Sequence, residues 1–171
     1  MSGQGQPRHP AVRASEDSRT LFRWLARTPV RTFVIYPACV IAVELAFHDG
    51  RLRIVPWGTL LLAWGYLQYR LVGTFRRRRG GGGPGITVPP DRIVTQGPYR
   101  YVRNPIYLGH LIFMLGLALT FWSWFALALL AVSAVWFHRR VLADEEQLRT
   151  LFGGEYTAYQ ARVKRWIPGI L

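Results

Sequence analysis

Cysteine and lysine are almost absent from this chain: Cys39 and Lys164 are the single residues of their types among 171. A lone cysteine excludes an internal disulfide and a cysteine-based metal site. Acids are scarce as well, nine against 22 lysines and arginines, giving a formal net charge of +13, although 50% of the residues are hydrophobic. Charge of this kind either serves nucleic acid or flanks membrane spans. Its distribution separates the two. Six arginines stand against Glu16 and Asp17 up to residue 32, eight against Asp91 in 70–103, and five plus Lys164 against four acids in 138–171. Apolar stretches with almost no charge lie between these blocks, so no single basic face is on offer. The pattern is that of membrane topology, with no nucleic-acid partner. The dominance of arginine, which forks onto phosphates, suits lipid headgroups. It is also the mark of a GC-rich, bacterial genome, which points to a bacterial plasma membrane.

Residues 1–20 are rich in Gly, Pro, Ser and charge and read as a disordered arm with no secretory signal. Residues 21–30 suit a short basic helix on the membrane surface, and 21–171 form a single domain. Spans are predicted over about 30–48, with Pro37 and Glu44 inside, and about 55–73. RRRRGGGGPG at 76–85 reads as a soft, membrane-hugging linker. It lacks the lysine and hydroxyl that would make a phosphate-binding loop. The apolar block 105–137 is too long for one straight crossing, and FWSW lies in its middle. This predicts a helical hairpin, 105–120 and 124–138. The expected fold class is therefore all-α, a polytopic transmembrane helical bundle of about four spans with a C-terminal helical segment. The three arginine-rich segments share one side, which places both termini and the site in the cytoplasm. The tail 138–171 reads as a helix running on from the fourth span, broken at Phe152-Gly153-Gly154 and stopped at Pro168.

Two polar clusters stand out. TQGPYRYVRNPIYLGH, residues 95–110, sets prolines, tyrosines and arginines ahead of a greasy run. Asn104 suits an N-cap and Pro105 the first helical position, so free backbone N–H groups would face the cytosol and favour a carboxylate or phosphate. Tyr99, Tyr101 and Tyr107 offer flat faces for an aromatic base or a cation. The second cluster, Arg139-Arg140 with Asp144-Glu145-Glu146, would meet the first if the hairpin folds back. The acids could then bind an amine or ribose hydroxyls, or simply pair with Arg139, Arg140 and Arg149 at helical spacing. His110 and His138 lie at different depths with no third ligand, so no metal is expected.

GPYRYVRNPIYLG, the apolar hairpin and RRVLADEEQLRTLFGGEYTAYQARVKRWIP together resemble the isoprenylcysteine carboxyl methyltransferases and their phospholipid methyltransferase relatives. The likeness covers about residues 91–168. It implies an integral membrane enzyme that takes S-adenosylmethionine as cofactor and methylates a lipophilic acceptor. Carried over residue by residue, it implies a cofactor pocket lined by Ile93 and Val94 of the preceding turn. Tyr99 and Arg103, the run Asn104, Pro105, Ile106 and Tyr107, and the acids Asp144 and Glu145 would complete it. Glu145 would be catalytic, and Arg140 would stand near the acceptor. Asn104 occupies the family's histidine position and Asp144 that of the first paired glutamate. Asparagine can donate a hydrogen bond but carries no proton near neutral pH. The acceptor expected is a carboxylate or similar nucleophile on an isoprenylcysteine-like molecule or small lipid. The alternatives are an amine or phospholipid N-methyltransferase, an NADPH-dependent sterol-type reductase, and a catalytically silent membrane protein.

Overall fold

The computed structural model describes residues 27–81 and 90–167. The arm at 1–20, most of the surface helix at 21–30, the glycines after residue 81 and Pro168 lie outside that range. The described residues form helices with no strand among them: α1 (Thr28–Phe47), α2 (Pro56–Gly80), α3 (Pro105–Phe121) and α4 (Trp124–Arg162). A short 3-10 turn, Gly97–Arg100, precedes α3.

Each helix has a local cause. In α1, the turn Arg31–Ile35 widens to π geometry just ahead of Pro37. Proline has no N–H to give to residue 33, and its ring crowds that carbonyl; the wider turn absorbs the mismatch. α2 runs past its predicted end at 73, so Arg76–Gly80 is helical and not a linker. Arginine is a good helix former, and Arg77, Arg78 and Arg79 sit in the last turn, where cations complement the helix dipole. Gly81, at φ 68°, ends the helix.

α2 and α3 run antiparallel in close contact. A Cβ added to Gly65 would strike the backbone of Phe113, and one on Gly58 the backbone of Thr120, while Gly109 and Gly116 of α3 lie close against the backbone of Tyr69 and Leu62, though less tightly. Both pairs are spaced by seven residues, so each helix offers one smooth seam of the kind that lets membrane helices approach. Val55 N–H donates to the Thr120 carbonyl at 2.7 Å, and Gln68 Nε2 to that of Pro105 at 2.9 Å, pinning the two ends.

The hairpin between α3 and α4 turns at Trp122 and Ser123. Trp122 takes the left-handed conformation, φ 51°, and the Ser123 hydroxyl caps α4 by accepting from Ala126 N–H at 3.1 Å. α4 then continues far beyond residue 138. It kinks at Gly153, whose φ of 52° and ψ of −127° lie in a region closed to side-chain-bearing residues. Gly153→Ala is expected to cost about 1–2 kcal/mol, since the space is open and only the backbone objects. Thermal unfolding in detergent measures it.

Two helices, Thr28–Phe47 and Trp124–Arg162, are long and apolar enough to cross a membrane; Pro105–Phe121 is apolar but shorter. α2 is long but less apolar, with Gln68 and Arg70 inside it. Leu60, Trp64, Leu67 and Leu71 of α2 and Val132 and Val135 of α4 are exposed, an exterior suited to lipid.

Candidate active site

The hairpin brings the start of α3 beside α4 some two turns beyond 138, the expected end of the fourth span, from which the helix runs on. The Tyr107 hydroxyl donates to Asp144 Oδ2 at 2.5 Å, and Arg140 Nε contacts the other oxygen, Oδ1, at 3.1 Å. Burial raises the Asp144 carboxyl above its usual value, although the Tyr107 hydrogen bond and the Arg140 charge oppose the rise.

Next to this pair opens a cleft of about 770 Å3 measured out to and including its solvent mouth. Arg76 lines it from the last turns of α2, Pro90, Ile93 and Val94 from the segment before the 3-10 turn, and Tyr99 from the turn itself. Arg103, Asn104, Ile106 and Tyr107 line it from the start of α3, Asp144, Glu145 and Leu148 from α4, and Tyr156 and Tyr159 from beyond the kink. Pro105 lies buried beneath the wall, and Arg140 stands outside the lining, one turn before Asp144. The other positions implied by the resemblance are together in one place, but Tyr101, expected to offer a flat face there, is exposed and outside the cleft.

Asn104 begins α3, but its side chain does not cap it. Instead Nδ2 donates to Glu145 Oε1 at 3.2 Å. The helix is opened by Pro105 alone, and its first intrahelical bond runs from Leu108 N–H to the Asn104 carbonyl at 3.1 Å. The amides of Ile106 and Tyr107, one residue further in, face the same end.

Glu145 is 3% exposed. Arg103 Nε reaches Oε1 at 3.1 Å, Arg165 Nη2 reaches Oε2 at 2.9 Å, and Gln160 Nε2 reaches Oε2 at 3.3 Å. Burial pushes the Glu145 carboxyl up, but the Arg165 hydrogen bonds and the Arg103 charge outweigh it and hold the group below its ordinary value. Arg103 also donates from Nη1 to the carbonyls of Gln160 and Val163, both at 3.0 Å. Its own N–H donates to Lys164 at 2.9 Å, and the Tyr159 hydroxyl donates to the Tyr99 carbonyl at 2.7 Å. The segment after the Gly153 kink is thereby bound across residues 99–103, with Glu145 at the knot. Glu145 spends its oxygens on the protein, whereas Asp144 and Tyr107 border open space.

Sequence reasoning did not single out Arg76, Gln160 or Arg165. Arg76 was hidden in a run of four arginines, and nothing in the spacing marked Arg165. Tyr156 and Tyr159 lay within the stretch that carries the resemblance, with no role assigned to them.

A family model described as phospholipid methyltransferase matches residues 55–155. The protein-S-isoprenylcysteine O-methyltransferase of Schizosaccharomyces pombe is 36% identical over 78 residues, 44% of this chain and 33% of that protein. Methanethiol S-methyltransferase 1 of Bradyrhizobium diazoefficiens is 34% identical over 89 residues, 49% of this chain and 29% of its own length. Protein-S-isoprenylcysteine O-methyltransferase B of Arabidopsis thaliana is 33% identical over 79 residues, 45% and 40% of the two chains. The match thus spans less than half the length of each of these relatives.

Proposed function

Because the chain belongs to the phospholipid methyltransferase family, we propose that the cleft binds S-adenosylmethionine and that the protein transfers its methyl group to a nucleophile on a lipophilic acceptor. The observation that carries this is the Tyr107–Asp144 hydrogen bond, which sets an aromatic ring and a carboxylate at the amide-rich start of α3, inside one cleft. The lining fits the parts of that cofactor. Asp144 suits its amine or ribose hydroxyls; Arg76 and the α3 amides suit its carboxylate; Tyr99, Tyr107 and Tyr156 suit adenine and sulfonium.

The bound cofactor supplies an electrophilic methyl on a positively charged sulfur. The chain's part is to align and to exclude water. Charge is lost as the methyl moves, so a half-buried, aromatic wall favours the step. Glu145 acts as a positioning residue: it holds Arg103 and Asn104 from behind and ties down the segment carrying Tyr156 and Tyr159.

In the same reading the chain crosses the bilayer four times, α2 and α3 included, with the arginine-rich ends and the cleft on the cytoplasmic side. The activity is a carboxylate or similar O-methylation. Calorimetric titration of the detergent-solubilised protein with S-adenosylhomocysteine and with NADPH tests the cofactor. Binding of the first alone supports the reading, and binding of NADPH alone removes it. Asn104→His keeps a nitrogen donor for Glu145, so S-adenosylhomocysteine affinity is expected to stay within about threefold of wild type. The same titration checks it.

A further inference from the structure

A cavity of about 460 Å3, measured out to and including its solvent mouth, opens against the segment that walls the cleft. Arg79 lines it from the last turn of α2, and Arg92, Ile93, Val94, Thr95 and Gln96 line it from that segment. Ile93 and Val94 also line the cleft, so the two spaces share a wall. Two exposed guanidinium groups thus border one cavity, and among the described residues no acid lines it. Asp91, next in the chain, lies against Gly81 and outside the lining, and the sequence from 81 to 90 contains no acid. Like charges gathered without a counter-charge repel, and an anion between them relieves this. Arginine forks onto phosphate oxygens, while the Thr95 hydroxyl and the Gln96 amide add neutral donors.

The shared wall is fixed at its ends. The N–H groups of Asp91 and Arg92 donate to the Gly80 carbonyl at 2.8 and 3.2 Å. At the other end Gly97, φ 60°, fits against the Phe75 ring, which a Cβ there would strike, and Arg79 stands 5.9 Å from the centre of that ring. Between these points Ile93, Val94 and Thr95 make no backbone–backbone hydrogen bond among the described residues. Side-chain packing holds the middle, Val94 against Val72, Tyr99 and Ile106, and Ile93 against the cluster of Tyr156 and Tyr159.

We infer that this cavity seats the phosphate of an anionic phospholipid of the cytoplasmic leaflet, and that the seated phosphate firms the wall shared with the cleft. The apolar part of α2 gives way at Arg76–Arg79, so in the four-span reading the cavity stands at headgroup height. The lipid is not the methyl acceptor: Arg79 and Arg92 hold it, and neither lines the cleft. A phosphate bridging Arg79 of α2 and Arg92 of the segment closes a link that the backbone leaves open. A wall already ordered costs the methyl donor less to bind. That second half rests on the reading of the cleft as the methyl-donor site.

The probe is phosphatidylglycerol spin-labelled on an acyl chain, added to the full chain in nanodiscs of zwitterionic phosphatidylcholine, with labelled phosphatidylcholine as reference. The immobilised spectral component is expected to favour the anionic probe about threefold to tenfold. Arg79→Gln/Arg92→Gln should bring it down to the reference. Arg78→Gln/Arg100→Gln removes as much charge outside the cavity and should keep most of the preference. Unlabelled phosphatidylglycerol in the discs should slow hydrogen exchange in 93–95 and raise S-adenosylhomocysteine affinity about threefold to tenfold in the wild type. In Arg79→Gln/Arg92→Gln both should stay where phosphatidylcholine alone puts them. Equal immobilisation of the two lipids overturns the inference. An equal effect of the two double variants also overturns it, by making the attraction one of diffuse charge. Displacement of the probe by inorganic phosphate overturns it as well, by making the site one for a free anion. Selective binding with exchange and affinity unchanged overturns the link through the shared wall. If S-adenosylhomocysteine binds in neither disc, the donor-site reading falls, while the spectra and the exchange still decide the lipid seat.

Discussion

Glu145→Ala is expected to destabilise the protein by about 3–5 kcal/mol, because it leaves the guanidinium groups of Arg103 and Arg165 facing each other without their carboxylate. The damage should be local first. Hydrogen exchange should accelerate in 97–104 and 155–167, the two segments that Arg103 and Tyr159 tie together, while the seam between α2 and α3 stays protected. Glu145→Gln, which keeps polar atoms but no charge, should fall between wild type and alanine. Cofactor affinity should drop in both as a consequence of the loosened wall. If exchange in 155–167 is unchanged in the alanine variant, Glu145 is not the knot described above. The pH dependence has a definite sign. The folded carboxyl is held below its ordinary value of 4.5. Its stabilisation is therefore complete above 4.5 and is lost as the pH falls through the lowered value. Between roughly pH 5 and 3 the wild-type midpoint should fall more steeply than that of Glu145→Gln.

Asp144→Ala should act differently, on binding and hardly on folding. Its carboxylate is partly exposed and is held by Tyr107 and Arg140 at the edge of open space. Losing a charge-assisted hydrogen bond to the cofactor costs about 1.5–3 kcal/mol, roughly a 10- to 100-fold rise in the dissociation constant of S-adenosylhomocysteine. Tyr107→Phe removes the hydroxyl that orients Asp144 and should lose about threefold to tenfold. Because burial lifts the Asp144 carboxyl above its ordinary value, wild-type affinity should begin to weaken at a higher pH than an ordinary carboxylate would dictate. Asp144→Asn should abolish that pH dependence. An Asp144→Ala protein that binds as wild type does would show that the acid serves only to pair with Arg140.

The hairpin was legible because an apolar block too long for one crossing had polar flanks and an aromatic break at FWSW. Its two polar ends met as the charge pattern required. The Gly153 break was legible from a glycine pair inside an amphipathic run. The roles of the two neighbouring acids were not. Asp144 and Glu145 are adjacent in sequence, but α4 turns them about 100° apart, so Asp144 pairs with Tyr107 while Glu145, at the cleft wall, is taken up by Arg103 and Arg165. Only the placement of residues 160–165 distinguishes them, and that depends on a kink angle no local rule supplies. The helix over Arg76–Gly80 was missed because four arginines beside glycines suggest a coil. In the fold they continue α2 and bring Arg76 to the wall of the cleft. The seven-residue spacing of Gly58 with Gly65, and of Gly109 with Gly116, was a readable sign of close helix contact that went unused.

The parallel bridge between Val102 and Lys164 has a consequence for biogenesis. In the four-span reading, the membrane-crossing residues, which end near 138, are made before Lys164 and Arg165. The nascent protein would be inserted and oriented, yet its cleft would still lack one side. If the cleft binds the methyl donor as proposed, that ability would arrive late, and a message cut short just upstream of those codons would yield a protein that inserts without a complete cleft.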